Sequence, residues 1–498
     1  MKLTWLKIIK RSWGAWLGLL LFIVILFLPT TEQFTVEKRN MLAVLGLMAV
    51  WWMTETLPLG VTALLPLVLY PILGIMNTEK VAPNYMHHLV FLFMGGFIIA
   101  IALQKWRLHR RFALYVISYI GTNPRKIILA FMLVSAVLSM WISNTATAVM
   151  MLPIGLAVIF QFQGENLKPE DKIDNFSVVL MLGIAYASSI GGISTLIGTP
   201  PNIIFSGIFS KFFPTETPVS FVQWLIYVLP LSIIIFFLIW FYLVEFVLKN
   251  EKLPQMNSSS YFRDELNKLG AFNSSQIWVL AVFAVTAFLW IFKANLTLGS
   301  FTLYGWPHLF GLDGKIQDST IAIGMAIFLF IIPAREKKNR KALLEIKDLS
   351  KIPWDILLLF GGGFALAEGI RATGLAEYIG QKLHFLHGLH PFGLIFVVTI
   401  SVIFITEFTS NTAVATTILP IIAVISINLN IPPMMIMLPA TIAASCAFML
   451  PVATPPNAIV FGSRYVPIKK MVKTGFWLNI ISASLASVYF YFLFKLIL

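Results

Sequence analysis

Runs of apolar residues alternate with short polar or basic connections along the whole chain. The stretches LGLLLFIVILFL (17–28), FLFMGGFIIAIAL (91–103) and IAIGMAIFLFII (321–332) are three such runs. Each is the apolar centre of a predicted membrane-crossing helix of about 20 residues. The longest polar stretches, 249–274 and 334–352, are flanked by apolar segments and read as loops, so no separate soluble domain is predicted. Composition agrees: 58% of the 498 residues are hydrophobic, 12% are charged, and mean hydropathy is +0.85. The fold class is an all-α polytopic membrane protein embedded in the lipid bilayer.

The net charge of +14 does not point to nucleic acid, because Lys and Arg sit in short clusters beside apolar runs, as in cytoplasmic loops. The clusters are Lys2, Lys7, Lys10 and Arg11, then Lys105, Arg107, Arg110 and Arg111, then Lys249 and Lys252. Two more follow: Arg335, Lys337, Lys338, Arg340 and Lys341, and Arg464, Lys469, Lys470 and Lys473. MKLTWLKIIKR at the start has no small-residue cleavage site after it, which predicts a retained first helix with a cytoplasmic N-terminus. Full crossings near 14–30, 41–56, 59–76 and 89–104 then return the second cluster to the inside. A re-entrant hairpin over about 126–162 is followed by crossings near 177–210, 220–248, 276–293, 318–333 and 354–370. A second hairpin, about 391–429, precedes crossings near 433–463 and 474–497. This arrangement, about eleven transmembrane helices plus two hairpins, puts every basic cluster inside and the C-terminus outside.

A repeat underlies the count. Phe97 of MGGF precedes Ser143 of SNTATAVMMLPIG by 46 positions, and Phe364 of GGGF precedes Ser410 of SNTAVATTILPII by the same 46, an offset of 267 between halves. Downstream, GTPPNIIFSG (198–207) answers ATPPNAIVFG (453–462) at an offset of 255, so the first half carries twelve extra residues, most simply in GENLKPEDKIDN (164–175). The crossing with Phe97 runs inward and that with Phe364 outward, so the halves are inverted repeats, the mark of secondary transporters. The predicted divisions are 1–40 (N-terminal segment and first helix), 41–248 (first repeat), 249–275 (cytoplasmic loop) and 276–498 (second repeat).

Irregular backbone at membrane depth must be buried or line a cavity. Ser, Asn and Thr suit the tip of a hairpin: they bond neighbouring backbone, cap a new helix, and Asn tolerates the left-handed conformation. Thr199 and Thr454 are placed to cap half-helices starting at Pro200-Pro201 and Pro455-Pro456, after breaks near the membrane midplane. Four helix N-termini converging there, with free N–H groups, favour an anion. The hydroxyls of Thr145, Thr199, Thr412 and Thr454 and the amides of Asn144 and Asn411 add hydrogen bonds. The carbonyls left at the breaks are hard-oxygen donors suited to Na+. No Arg or Lys lies within either motif.

The stretches LSMWISNTATA (138–148), SIGGISTLIGTPPN (189–202), LLLFGGGF (357–364), TEFTSNTA (406–413) and SCAFMLPVATPPNAIVFGS (445–463) resemble the divalent-anion:sodium symporter family over nearly the whole chain. The resemblance implies a homodimer with a scaffold and a moving transport subdomain, working by an elevator-like displacement. It implies a first sodium site at Ser139, Ser143, Asn144 and Gly198 and a second at Thr406, Thr409, Asn411 and Ala453, several through backbone carbonyls. It implies a substrate shell of Asn144, Thr145, Thr199, Asn411, Thr412, Thr454 and Pro455. The function implied is Na+-coupled symport of C4-dicarboxylates such as succinate, fumarate and malate across a plasma membrane, most simply a bacterial inner membrane, with no organic cofactor. A dicarboxylate or tricarboxylate exchanger and an anion channel are the rival readings.

Other residues read differently. The Gly-Gly-Phe pairs suit close helix packing. Glu55, Glu368 and Glu407 lie in or beside apolar segments, where a carboxylate suggests function. Glu407, next to the second SNT, is either a proton carrier or a carboxylate that satisfies backbone groups or a basic residue inside the hairpin, and the second reading is favoured because the sodium sites are already adequate. His87 and His88, and His384, His387 and His390, show no ligand spacing, and the Trp residues suit interfacial anchoring. There is no HExxH or GxSxG motif, and Cys446 is the only cysteine, so no intramembrane enzyme is predicted.

Overall fold

The apolar runs form helices almost throughout the computed structural model, which describes residues 2–119, 123–163, 174–248, 259–298, 301–336, 339–382, 388 and 390–497. Seven helices among these have the length and apolarity of a membrane span, and Trp354–Ala372 with Leu375–Lys382 adds a pair bent by 74°. The predicted crossings at 14–30, 59–76 and 318–333 correspond to shorter apolar helices, Trp13–Leu26, Leu59–Ile72 and Asp318–Ile331. The remaining short helices are limbs of hairpins or halves of broken spans, which need not cross alone.

The same elements recur in each half. His88–Lys105 corresponds to Trp354–Ala372. The first hairpin, Pro124–Ser139 and Asn144–Gln163, corresponds to the second, Pro391–Thr406 and Asn411–Leu429. The first broken span, Asn175–Ile193 and Pro200–Phe212, corresponds to Pro433–Ser445 and Pro455–Gly462, and Phe221–Tyr242 to Ile468–Ile497. Local signals start these helices: Asn123 and His390 cap the hairpins' first limbs through bonds to Arg125 N and Phe392 N, each with proline at the first helical turn. Every residue from Phe176 to Ile193 is buried, so the first broken span lies at the centre. Of the extra stretch 164–175, residues 164–173 lie outside the described residues. The length difference is not confined there, because Asn175–Ile193 has 19 residues and its counterpart Pro433–Ser445 has 13.

The halves grip each other crosswise. A Cβ on Gly95 would lie 2.6 Å from Cβ of Ala322, and one on Gly362 would lie 2.6 Å from Cβ of Ala63. Gly95 and Gly362 are the same position of the repeat, so the Gly-Gly-Phe helix of each half lies against a helix of the other. The half-helix Pro200–Phe212 likewise packs on Asn411–Leu429, and Pro455–Gly462 on Asn144–Gln163. His87, at the start of one Gly-Gly-Phe helix, and Glu368, near the end of the other, line one cavity, so the two helices run antiparallel, as inverted repeats require.

The two ends of the bundle are fastened by ions. At one, Asp348 accepts from Lys105 at 2.7 Å and Lys351 at 2.8 Å, and Arg110 pairs with Glu265 at 3.1 Å. These residues come from or border three loops that the basic clusters assign to one side of the membrane. Burial alone would raise the Asp348 carboxyl, but Lys105, Lys351 and the Glu345 N–H hold it well below the usual carboxylate range. At the other end Lys293 pairs with Asp318 at 2.6 Å and Lys211 with Glu368 at 3.0 Å. Glu55 is exposed at a helix end with φ of 51°, and Glu368 also accepts from Arg371 at 2.7 Å, so neither carboxylate stands unpaired in an apolar core.

Gly95→Val and Gly362→Val should each force their helix pair apart and lower stability by about 1–3 kcal/mol. Thermal unfolding of the purified protein measures this, and unchanged midpoints in both would mean that the crosswise contacts are loose.

Candidate functional site

Each hairpin turns over four residues, 140–143 and 407–410, and its second limb begins at Asn144 or Asn411. At the first tip the Ser139 hydroxyl donates to Asn144 Oδ1 at 2.6 Å. At the second the Thr406 hydroxyl donates to Asn411 Oδ1 at 2.7 Å and approaches the Ala444 carbonyl at 3.0 Å. The two pairs occupy identical repeat positions. Neither asparagine uses the left-handed conformation it tolerates; each opens a helix and is fixed by the hydroxyl five residues before it. Each amide oxygen keeps a second lone pair for another partner.

The first site gathers further oxygens. A Cβ on Gly192 would collide with Asn144 Oδ1, and one on Gly198 would collide with the Gly192 carbonyl. Ser139, Asn144, Gly192 and Gly198 are therefore packed together, and both glycines are required by close approach. Ser143 spends its hydroxyl on the N–H of Ala146 at 3.3 Å, capping the helix, so its side chain is less free than the proposed ligand role assumes. In the second site the Thr409 hydroxyl is buried without a hydrogen-bond partner, as is that of Ser445 beside Ala444. Neither Gly198 nor Ala453 has a hydrogen bond to its carbonyl among the described residues.

The expected substrate residues flank these clusters. Thr145 and Pro455 are exposed, Asn144, Asn411 and Thr412 are half-buried, and Thr199 and Thr454 are buried. The crosswise packing puts the helix of Asn144 and Thr145 against that of Pro455, and the helix of Asn411 and Thr412 against that starting at Pro200. The half-helices begin at Pro200 and Pro455 as expected, but only Thr454 caps with its side chain, to Asn457 N at 3.3 Å. Paired prolines have no N–H to offer. The next N–H, Asn202, goes to the Thr199 carbonyl at 3.2 Å. The Thr-Pro-Pro helices thus bring partial positive charge but few free donors, and the N–H groups available to an anion belong chiefly to the hairpin tips.

Glu407 is a clamp. Wholly buried, it accepts from Phe448 N at 2.7 Å, Met449 N at 2.9 Å, Leu450 N at 2.9 Å and Asn479 Nδ2 at 2.6 Å. It therefore has the structural of its two expected roles, but its partners are the unwound backbone of the second break and Asn479, not groups inside the hairpin, and none is a basic residue. The first half uses the same four repeat positions with other chemistry: Thr195 donates to the Met140 carbonyl at 2.6 Å and Trp224 to the Ile193 carbonyl at 3.0 Å. Sequence reasoning missed Gly192, Ala444, Thr195, Trp224 and Asn479. Trp224 and Asn479 stand 255 apart, but unlike residue types hid the correspondence. His384 and His387 lie outside the described residues, and His390 is a helix cap.

An all-α bundle with two hairpins, two broken spans and uncharged oxygen clusters at their breaks defines a multi-pass membrane transporter, not an enzyme. The chain belongs to the sodium:sulfate symporter family, whose transmembrane-region model matches residues 9–496. It is 41% identical over 483 residues to the sodium-dependent dicarboxylate transporter SdcS of Staphylococcus saprophyticus, covering 96% of this chain and 91% of that one. SdcS of Staphylococcus aureus (strain bovine RF122 / ET3-1) is 40% identical over 488 residues, covering 97% and 91%. Among solved structures, the Alcanivorax borkumensis YdaH transporter superposes with a TM-score of 0.54 over 83% of this chain and 87% of its own, at 14% identity. Neisseria gonorrhoeae MtrF gives a TM-score of 0.54 over 82% and 83%, also at 14% identity. These two show a shared fold.

Glu407→Ala should strand the N–H groups of Met449 and Leu450, leave that of Phe448 only its longer bond to Asn479 Oδ1 at 3.3 Å, and destabilise the protein by roughly 2–4 kcal/mol, read by thermal unfolding. A normal unfolding midpoint together with a lost pH dependence of transport would instead make Glu407 a proton carrier.

Proposed function

We propose that this protein carries out Na+-coupled symport of C4-dicarboxylates, succinate, fumarate and malate among them. The observation that carries the reading is the repeated hydroxyl–amide pair, Ser139–Asn144 and Thr406–Asn411, beside breaks whose Gly198 and Ala453 carbonyls bear no hydrogen bond. Neutral oxygens of this kind suit Na+, which takes hydroxyl, amide and carbonyl ligands without needing a carboxylate. The names of the SdcS relatives support both the ion and the substrate class.

On this reading Ser139, Ser143, Asn144 and Gly198 hold one Na+, and Thr406, Thr409, Asn411 and Ala453 hold another. A dicarboxylate lies between the tips, taking N–H groups at Asn144 and Asn411 and hydroxyls from Thr145, Thr199, Thr412 and Thr454, with Pro455 at its edge. The two Na+ offset the anion's charge, which no Lys or Arg in the motifs does. The repeats, 41–248 and 276–498, exchange inward-open and outward-open arrangements by an elevator-type movement within a homodimer. The N-terminus is cytoplasmic, the C-terminus outside, and the membrane a bacterial inner membrane.

The test is radiolabelled succinate uptake into proteoliposomes, with and without an inward Na+ gradient, empty or preloaded with succinate. Uptake into empty vesicles that requires Na+ is expected. Uptake only into preloaded vesicles, indifferent to Na+, would make the protein an exchanger. Asn144→Ala and Asn411→Ala should each cut uptake at least tenfold in folded protein, the loss of about 1.4 kcal/mol or more of binding. Near-normal, sodium-dependent uptake in both would sink the site assignment.

A further inference from the structure

The last residue of each Thr-Pro-Pro-Asn motif has no role in the scheme above, yet two of its bonds recur at the same spacing in both halves. Asn202 and Asn457 are both wholly buried. The Asn202 Nδ2 donates backwards across the break to the Thr195 carbonyl at 2.7 Å, to Gly192 at 3.2 Å and to Ile193 at 3.3 Å. The Asn457 Nδ2 donates to the Ala447 carbonyl at 3.0 Å and to Leu450 at 3.1 Å. Gly192 and Ala447 stand ten residues before their asparagine, and Thr195 and Leu450 seven before, so the two bonding patterns coincide.

In both halves the amide oxygen of the same asparagine is buried with no partner. Stranding a buried acceptor costs roughly 1–3 kcal/mol, so a side chain present only to fill space would not be an asparagine twice. The carbonyls fix which end of the amide faces the break, since turning it over would set oxygen against oxygen. Each amide braces its break: Asn202 ties Gly192 and Ile193, at the end of the preceding helix, to Thr195, and Asn457 ties Ala447 to Leu450. Four residues before each asparagine, among several break carbonyls without a hydrogen bond, stands that of Gly198 in the first half and of Ala453 in the second.

We infer that Asn202 and Asn457 are positioning residues for the two sodium sites, each bracing the backbone of its break so that the Gly198 or Ala453 carbonyl is held toward the ion; in the first half the Gly192 carbonyl that Asn202 binds is the one packed against Gly198. The inference rests on the sodium-coupled reading and deepens it. The amides act as an outer shell: they do not touch the ion, they orient the backbone that does. Removing an outer-shell partner of a metal ligand lowers affinity by about 10- to 100-fold.

The experiment is thermal unfolding of the purified full-length protein across a Na+ titration, with K+ replacing Na+ at constant ionic strength. The wild type should be stabilised with a saturable midpoint. Asn202→Ala and Asn457→Ala should each lower the unfolding temperature in K+, since the carbonyls they bind are stranded, and should in addition move the Na+ midpoint up by about 10- to 100-fold, and the double variant should lose the Na+-dependent stabilisation. Ser206→Ala, one turn further along the first half-helix and also buried, should leave the midpoint unchanged. Midpoints equal to wild type in both alanine variants overturn the inference and leave the sodium reading standing. A wild type that Na+ does not stabilise over K+ overturns the sodium reading and the inference with it. Should an alanine variant aggregate, Asn202→Ser and Asn457→Ser, whose short hydroxyl reaches at most one carbonyl, are titrated instead, and equal midpoints there overturn the inference in the same way.

Discussion

An unpaired peptide group at membrane depth costs several kcal/mol, and this chain interrupts its helices at four buried or half-buried places. The site is built under that constraint. A break is useful because it releases carbonyls and N–H groups, and tolerable only if nearly all of them find partners. Hence the tips are short, each second limb starts on a residue whose side chain is held by the hydroxyl five positions earlier, and the longer breaks are crossed by bonds from Asn202, Asn457, Glu407, Thr195 and Trp224. The Gly198 and Ala453 carbonyls, beside the hydroxyl–amide pairs, are among the groups left over for a ligand.

The two halves meet this constraint with different side chains in equivalent places. In the first, the break spans residues 194–199, and neutral donors, the Thr195 hydroxyl and the Trp224 indole, go to carbonyls. In the second, the break spans 446–454 and presents three successive N–H groups, at Phe448, Met449 and Leu450. A run of donors needs an acceptor with several lone pairs, and an ionised carboxylate is the side chain that offers them. Glu407 therefore follows from the length of the second break. Backbone geometry, more than residue identity, is what the repeat preserves.

That distinction explains what could be read from the sequence. The helices, hairpins and broken spans were legible because they depend on hydrophobic runs, prolines and SNT tips, which are identical in kind in both halves. Ser139, Asn144, Thr406 and Asn411 were legible for the same reason, and the structure brings each pair together. Gly192 was not legible, because its role, making room for Asn144 Oδ1, is a close approach between segments almost fifty residues apart. Trp224 and Asn479 were invisible, since one donates to a carbonyl and the other to a carboxylate and no pattern of residue types links them. Thr199 misled in the opposite direction: its sequence context matches Thr454, but it makes no side-chain cap.

The absence of fixed positive charge from the motifs has a consequence for coupling. An Arg or Lys at the tips would hold a dicarboxylate whether or not cations were present, and the anion could then move alone. With only hydroxyls, amides, carbonyls and helix termini, the anion meets partial charges until Na+ arrives, and Na+ meets neutral oxygens until the anion balances it. Each ligand then raises the affinity for the other by the same factor, because a coupling free energy between two sites is reciprocal. On the proposed reading, a neutral site is what ties the movement of the substrate to that of the ion, and the outer shell of Asn202 and Asn457 serves it by bracing the breaks without adding charge.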